Sequence, residues 1–299
     1  RAPPAQRLVE TTMTLLLLSL FSLASAAGAA PPALERELAE MTAKGFAQEK
    51  AVRQKVGETT FTAVIFRHAD KDWRKLNVYA QIKDKAFLVF SHPGGISERL
   101  EFDPVMSGDR FPDLLRNGSF CILYHATVPG LDKRTLYVLR CAGPRVRLAG
   151  QFPEGEFKKI AGSDRRMIIA KTLPLGRFFS AGCDNFSTMS KTAFQTRIFA
   201  AQNGRFADVS AEHPAFYDTD IARLEDAQAL IPKEKNPGDF LGAAVSIYFD
   251  YAAKGERRRG WQRLGELIKP PPPPIPGVAE CLEQVKDDIR RKLDIPEDW

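Results

Sequence analysis

The strongest constraint on the fold lies in residues 59–209, where short runs of β-branched and aromatic residues recur between turn signals and no helical period interrupts them. Residues 61–67 form one run, and residues 76–82 and 86–90 form a hairpin across Lys83, Asp84 and Lys85. Residues 120–126 and 135–141 form a second hairpin across residues 129–133, followed by runs at 145–149 and 166–171. A last hairpin joins residues 193–200 to 206–209 across Asn203-Gly204, a dipeptide that readily adopts the two positive φ angles of a tight β-turn. About eight or more strands at this spacing imply an antiparallel β architecture: a sandwich, a barrel or a partial propeller.

Helical periods flank this β-rich domain, taken as residues 58–212. Leu34, Leu38 and Met41 keep an i, i+3/i+4 spacing among Glu, Lys and Gln, so an N-terminal helix is expected over residues 31–57. In the helical region at 213–269, Phe240, Leu241, Ala244, Val245, Tyr248, Phe249 and Ala252 form one apolar stripe that ends at Gly255. Trp261, Leu264 and Ile268 form another. Residues 270–276 read as a proline-rich, extended spacer. In residues 277–299, Val278, Cys281, Leu282, Val285, Ile289 and Leu293 mark an amphipathic C-terminal helix. The fold class is therefore α+β: an antiparallel β-rich central domain (sandwich or partial propeller) with an N-terminal helix and a helical C-terminal third.

Residues 1–30 read as a secretory signal peptide. The apolar run from Leu15 to Leu23 falls short of the roughly 20 residues a membrane-spanning helix needs. Small residues at Ala24-Ser25-Ala26 and Ala27-Gly28-Ala29 offer cleavage sites, and Pro31-Pro32 stops the helix. Arg1 and Arg7 supply the charged n-region if translation starts upstream of Met13. The expected localisation is periplasmic or secreted, with no transmembrane segment after signal removal. The chain carries a net charge of +6, close to +5 once the signal is removed, with cations interspersed among acids except at Arg257-Arg258-Arg259. A solvated helix face accounts for that run, and no nucleic-acid partner is expected.

Export gives meaning to the 4 cysteines, Cys121, Cys141, Cys183 and Cys281, which allow three pairings. A hairpin centred on Leu131 sets Cys121 opposite Cys141, Leu123 opposite Leu139 and His125 opposite Tyr137. Bridging a loop of about 20 residues would stabilise the fold by roughly 3 kcal/mol. Cys183 and Cys281 then form a second, long-range bridge or stay as two buried thiols; the C-terminal stripe points Cys281 toward the body. There is no C-x-x-C, so neither a thiol-redox site nor a zinc site is indicated.

Residues 111–115, the strand at Cys121 and residues 136–139 carry a resemblance to exported bacterial proteins distantly related to FG-GAP/VCBS-type β-repeat modules. Residues 166–169, Phe178-Phe179 and residues 198–209 extend it, so that it covers about a third of the chain. The resemblance implies a β-repeat fold outside the cytoplasm and no assigned activity. Where such modules carry an acidic calcium loop, residues 161–166 offer one carboxylate, Asp164, beside Arg165 and Arg166. A calcium ion takes about six to eight oxygen ligands, so no metal or other cofactor is expected.

No catalytic residue is singled out. His68 is followed by Asp70 but reads as part of a surface turn, His92 precedes the turn Pro93-Gly94-Gly95, His125 is a cross-strand partner, and His213 precedes Pro214. G-x-S-x-G, S-x-x-K, H-E-x-x-H, G-x-G-x-x-G and the P-loop are all missing. Glu98, Glu101, Asp103 and Asp109 flank one strand and are the acids a glycosidase would draw on. The expected function is a binding or assembly module of the periplasm or cell envelope whose partner is an envelope protein or polysaccharide. The alternative is a hydrolase acting on an envelope glycan or peptidoglycan through loop carboxylates.

Overall fold

The computed structural model of the chain describes residues 32–106, 111–115, 117–130, 133–176, 178, 180–186, 188–232, 236–269 and 278–299. The signal segment at 1–30 and the proline-rich spacer at 270–276 lie outside the described residues.

Helix α1 (Pro32–Ala43) opens with proline, whose fixed φ suits a first helical turn, and stops at Lys44-Gly45. Gly45 takes φ +83° and donates its N–H to the Thr42 carbonyl, a left-handed turn that releases the chain into strand β1 (Phe46–Val56). This corrects the expected helix over 31–57. The Glu, Lys and Gln residues of 46–56 favour a helix locally, but pairing with β2 (Thr59–His68) from Phe46↔His68 to Val56↔Thr59 overrides that preference.

Three four-stranded antiparallel meanders follow one another along the chain. The first is β1-β2-β3-β4, with β3 (Arg74–Ile82) and β4 (Lys85–His92). The second is β5-β6-β7-β8, with β5 (Arg99–Phe102), β6 (Phe120–Val128), β7 (Lys133–Ala142) and β8 (Arg145–Pro153). The third is ordered β12-β11-β10-β9, with β9 (Glu156–Lys159), β10 (Arg166–Thr172), β11 (Gln195–Gln202) and β12 (Arg205–Asp208). Asn203 and Gly204 both take positive φ between β11 and β12, the tight turn the dipeptide implies.

The meanders stack face to face with the second in the middle. On one face of the second sheet, Tyr124 and Tyr137 meet His92 of the first. On the opposite face, Phe152 meets Phe199 and Phe206 of the third. Residues Phe61, Ile65, Val78, Ile122, Leu139 and Ile168, one or more from each sheet, belong to one continuous core. The outer face of the first sheet, with Val64, Phe66 and Tyr79, is sealed by Leu34 and Met41 of α1. The outer face of the third, with Met167, Ile169 and Ile198, is sealed by Tyr217 of α3 (Pro214–Ala229). Central strands buried on both faces read as unbroken apolar runs rather than alternations.

The remaining helices, α2 (Met189–Thr192), α4 (Pro237–Ala253), α5 (Arg257–Leu267) and α6 (Val278–Lys292), build a second core. In it Leu175, Phe186 and Met189 pack with Leu241, Tyr248, Trp261, Val285 and Ile289. Gly242 is what lets α4 approach α2, since a Cβ there would lie 1.9 Å from Thr192 Oγ1. No helix among the described residues is long and apolar enough to cross a membrane.

Cys183 and Cys281 are joined by a disulfide with their Cα atoms 5.6 Å apart, which fastens α6 to the loop before α2. The expected Cys121–Cys141 bridge is corrected. Val128 pairs with Lys133, leaving an even number of residues in the turn, so the register is shifted by one. Cys121 lies opposite Arg140, Cys141 opposite Phe120, Leu123 opposite Val138 and His125 opposite Leu136. Side chains alternate between faces, so the two cysteines point to opposite sides of the sheet and remain free, buried thiols. Burial pushes the Cys121 thiol up to about 11 and raises that of Cys141. Iodoacetamide at pH 8 should therefore leave both unlabelled in the folded chain and label both in denaturant, as read by mass spectrometry. A Cys121–Cys141 linked peptide would contradict this register.

Candidate functional site

The start of β7 lies beside β9 and β10 of the third sheet. Two adjoining hollows form there. One, of about 330 Å³, is lined by Asp103, His125, Arg134, Glu156, Lys158 and Arg166. The other, of about 480 Å³, shares Arg134, Glu156 and Lys158 and adds Lys171, Asp220 and Arg223. Together they make one cleft walled by strand ends and closed on one side by α3.

At its floor, His125 on β6 is 2% exposed, and its Nε2 lies 2.8 Å from Asp103 Oδ2. Asp103 Oδ1 accepts the Val105 N–H at 2.9 Å. Burial alone would raise the Asp103 carboxyl; the His125 bond, the Val105 N–H and the Arg134 charge outweigh it and hold the group below the usual carboxylate range. His125 Nδ1 is buried without a hydrogen-bond partner among the described residues. The register shift explains the pair: it turns His125 away from Tyr137 and onto the face that the third sheet covers.

The walls carry both signs, with cations in slight excess. Lys158 bonds Glu156 at 2.8 Å, and Arg223 bonds Asp220 at 2.6 Å. The Lys158 bond, with Arg134 and Lys171 nearby, holds the Glu156 carboxyl below its ordinary value despite partial burial. Arg134, Arg166 and Lys171 enter no ion pair with a described residue. Instead the Arg166 guanidinium sits 6.0 Å from the Phe157 ring centre, and Lys171 Nζ sits 4.3 Å from that of Phe194. These contacts place the two charged groups against aromatic faces, with no carboxylate paired to either among the described residues.

Behind the wall, Asp250 of α4 is 0% exposed, with the Asp220 carboxyl as its polar neighbour. Burial first, and then the nearby Asp220 charge, push it up to about 9, against the pull of Arg223 and Lys171. It is a neutral carboxyl at physiological pH.

Of the acids and histidines marked in the sequence, Asp103 and His125 meet at the floor of the cleft, and the others lie elsewhere. His92 Nδ1 lies 3.1 Å from the Tyr124 hydroxyl and His92 Nε2 lies 3.5 Å from Glu98, on the face of the middle sheet that meets the first sheet, away from the cleft. Glu101 is exposed, and Asp109 lies outside the described residues. His68 accepts the Asp70 backbone N–H at Nδ1, with its ring against Phe46 and Trp73, as a turn residue does. His213 precedes α3. Among the described residues no three His, Cys, Asp or Glu side chains are grouped to hold a metal ion. Sequence reasoning did not mark Arg134, Arg166, Lys171, Asp220 or Asp250, because strand stacking and α3 bring distant positions together. Only Asp250 left a local signal: a lone acid inside the apolar stripe of α4.

Comparison of the chain with protein-family profiles, with curated proteins and with solved structures finds no match, so the cleft is read from its own geometry.

Proposed function

We propose that this chain is an exported binding module of the periplasm or cell envelope, and that it seats an anionic envelope polysaccharide in the cleft between its middle and third sheets. The observation that carries the reading is the convergence of Arg134, Arg166 and Lys171, none in an ion pair with a described residue, on one elongated hollow. Among the acids that line it, Glu156 and Asp220 are engaged by Lys158 and Arg223, Asp103 is held by His125, and Glu154 faces Arg134, Arg166 and Lys171, so a ligand's carboxylates meet a small net positive charge. The stack of four-stranded meanders supports a relation to FG-GAP/VCBS-type repeats, and the signal-like residues 1–30 support export. The test is sedimentation of residues 31–299 with purified envelope glycan: the chain should travel with it at low salt and leave it as salt rises, because rim charges are screened.

The second reading, a hydrolase acting on an envelope glycan or peptidoglycan, is favoured by the neutral Asp250 carboxyl beside Asp220. Against it, Asp250 has no exposed surface with which to reach a glycosidic oxygen. Asp250→Asn separates the two: binding persists if the chain is a binding module, and glycan cleavage is lost if it is a hydrolase.

A further inference from the structure

A second charged hollow lies at the far end of β7, about 20 Å from Arg134 by the rise of the strand. It has a volume of about 250 Å³ and is lined by Arg140, Ala142, Arg145 and Arg147. The β7–β8 pairing sets Arg140 directly opposite Arg147 and Ala142 opposite Arg145, so all three guanidiniums rise from one face of the hairpin. Like charges directly opposed across two strands destabilise the pair. The small side chain of Ala142 leaves the space between them open.

Nothing among the described residues neutralises this cluster. None of the three arginines forms an ion pair with a described carboxylate, and the Arg140 Nε–H is buried without an acceptor. The nearby Asp113 spends its oxygens on the backbone N–H groups of Asn117 and Gly118. Three guanidiniums that line one open space without an ion pair are what a bound oxyanion would satisfy, since each planar fork can donate two parallel bonds to one tetrahedral group. We infer that this hollow binds the phosphate or sulfate group of a ligand. Its volume is below the roughly 300–1,000 Å³ of ordinary small-molecule pockets, so it takes the charged group rather than the whole ligand. The site is separate from the cleft, and its occupation does not depend on the cleft's ligand.

The experiment uses residues 31–299 with inorganic phosphate and inorganic sulfate as probes and sodium chloride at equal ionic strength as control. Phosphate or sulfate should raise the melting temperature saturably, while chloride should not. The exposed Arg145 and Arg147 are replaced singly by alanine. Each variant should weaken the anion response at least about tenfold, the loss expected for a charge-assisted hydrogen bond. In chloride alone, each should melt no lower than wild type, because a repulsion has been removed. Arg147→Lys, which keeps the charge without the fork, should retain an intermediate response. Equal protection by chloride, or an undiminished phosphate and sulfate response in both alanine variants, would overturn the assignment.

Discussion

Replacing Cys183 and Cys281 together by alanine should lower the stability of the fold by about 4–5 kcal/mol, among the largest losses any pair of substitutions here would produce. The bridge spans a sequence separation of 98 residues, and the unfolded chain gains the freedom of that whole loop when it is cut. The folded chain also loses the tie that holds α6 against the loop carrying Phe186, where Val285 and Ile289 complete the helical core. Urea unfolding should show the loss directly. Wild type in reductant should reproduce it, while the double variant should not respond to reductant. A wild-type curve unmoved by reductant would mean that the bridge does not constrain the chain.

Asp250→Asn should remove a large destabilisation that grows as pH rises. Asp250 is raised in the fold to about 9, whereas in an unfolded chain an aspartate ionises near 3.9. Between those values the folded state holds a proton that the unfolded state has released, so this group makes stability fall as pH rises, by about 1.4 kcal/mol per unit. Its contribution is most favourable below about pH 4 and is fully lost above about pH 9. Asparagine removes that slope but buries an amide that Asp220 can satisfy only in part, which costs about 1–3 kcal/mol. The variant should accordingly be no more stable than wild type at pH 4 and more stable by about 2–4 kcal/mol at pH 7.5. Chemical denaturation at the two pH values checks the crossing. A variant less stable than wild type at both would show that Asp250 is ionised and paired in the fold.

The β-rich centre and the helices that follow it were legible because both depend on local pattern. The unbroken apolar runs of β2 and β6, the Asn203-Gly204 turn and the stripe of α4 each reflect a period that the chain itself carries. Strand β1 was not legible. Its exposed Glu49, Lys50 and Lys55 make it an outer strand only through pairing with β2, and nothing within 46–56 encodes the pairing. The short strands β5 and β9 escaped for the same reason, being four residues each and held by their neighbours. The hairpin at residues 120–141 was legible as a hairpin but not in register, because loops of even and odd length share the same sequence signals. That single step moved Cys141 away from Cys121 and placed His125 at the floor of the cleft. The Cys183–Cys281 pair was foreshadowed by the stripe of α6, whose geometry directs Cys281 inward whatever it meets there. The cleft was the least legible feature. Its cations are ordinary strand-end residues until the stacking of the middle and third sheets sets them across a common space.

The claim that this space is a polyanion seat is tested most directly by the affinity of residues 31–299 for a polyuronate, with a neutral dextran of matched length as control. Arg134, Arg166 and Lys171 are each replaced by glutamate in one variant; all three lie at the cleft wall, outside the cores. The wild-type chain should bind the polyuronate and not the dextran, and the triple variant should bind at least about a hundredfold more weakly, given some 1–1.5 kcal/mol per lost charged contact. It should remain folded by circular dichroism but unfold more easily than wild type, because the three glutamates lie beside Asp103, Glu156 and Asp220. Undiminished polyuronate binding by a folded triple variant, or equal binding of dextran by the wild type, would contradict the account.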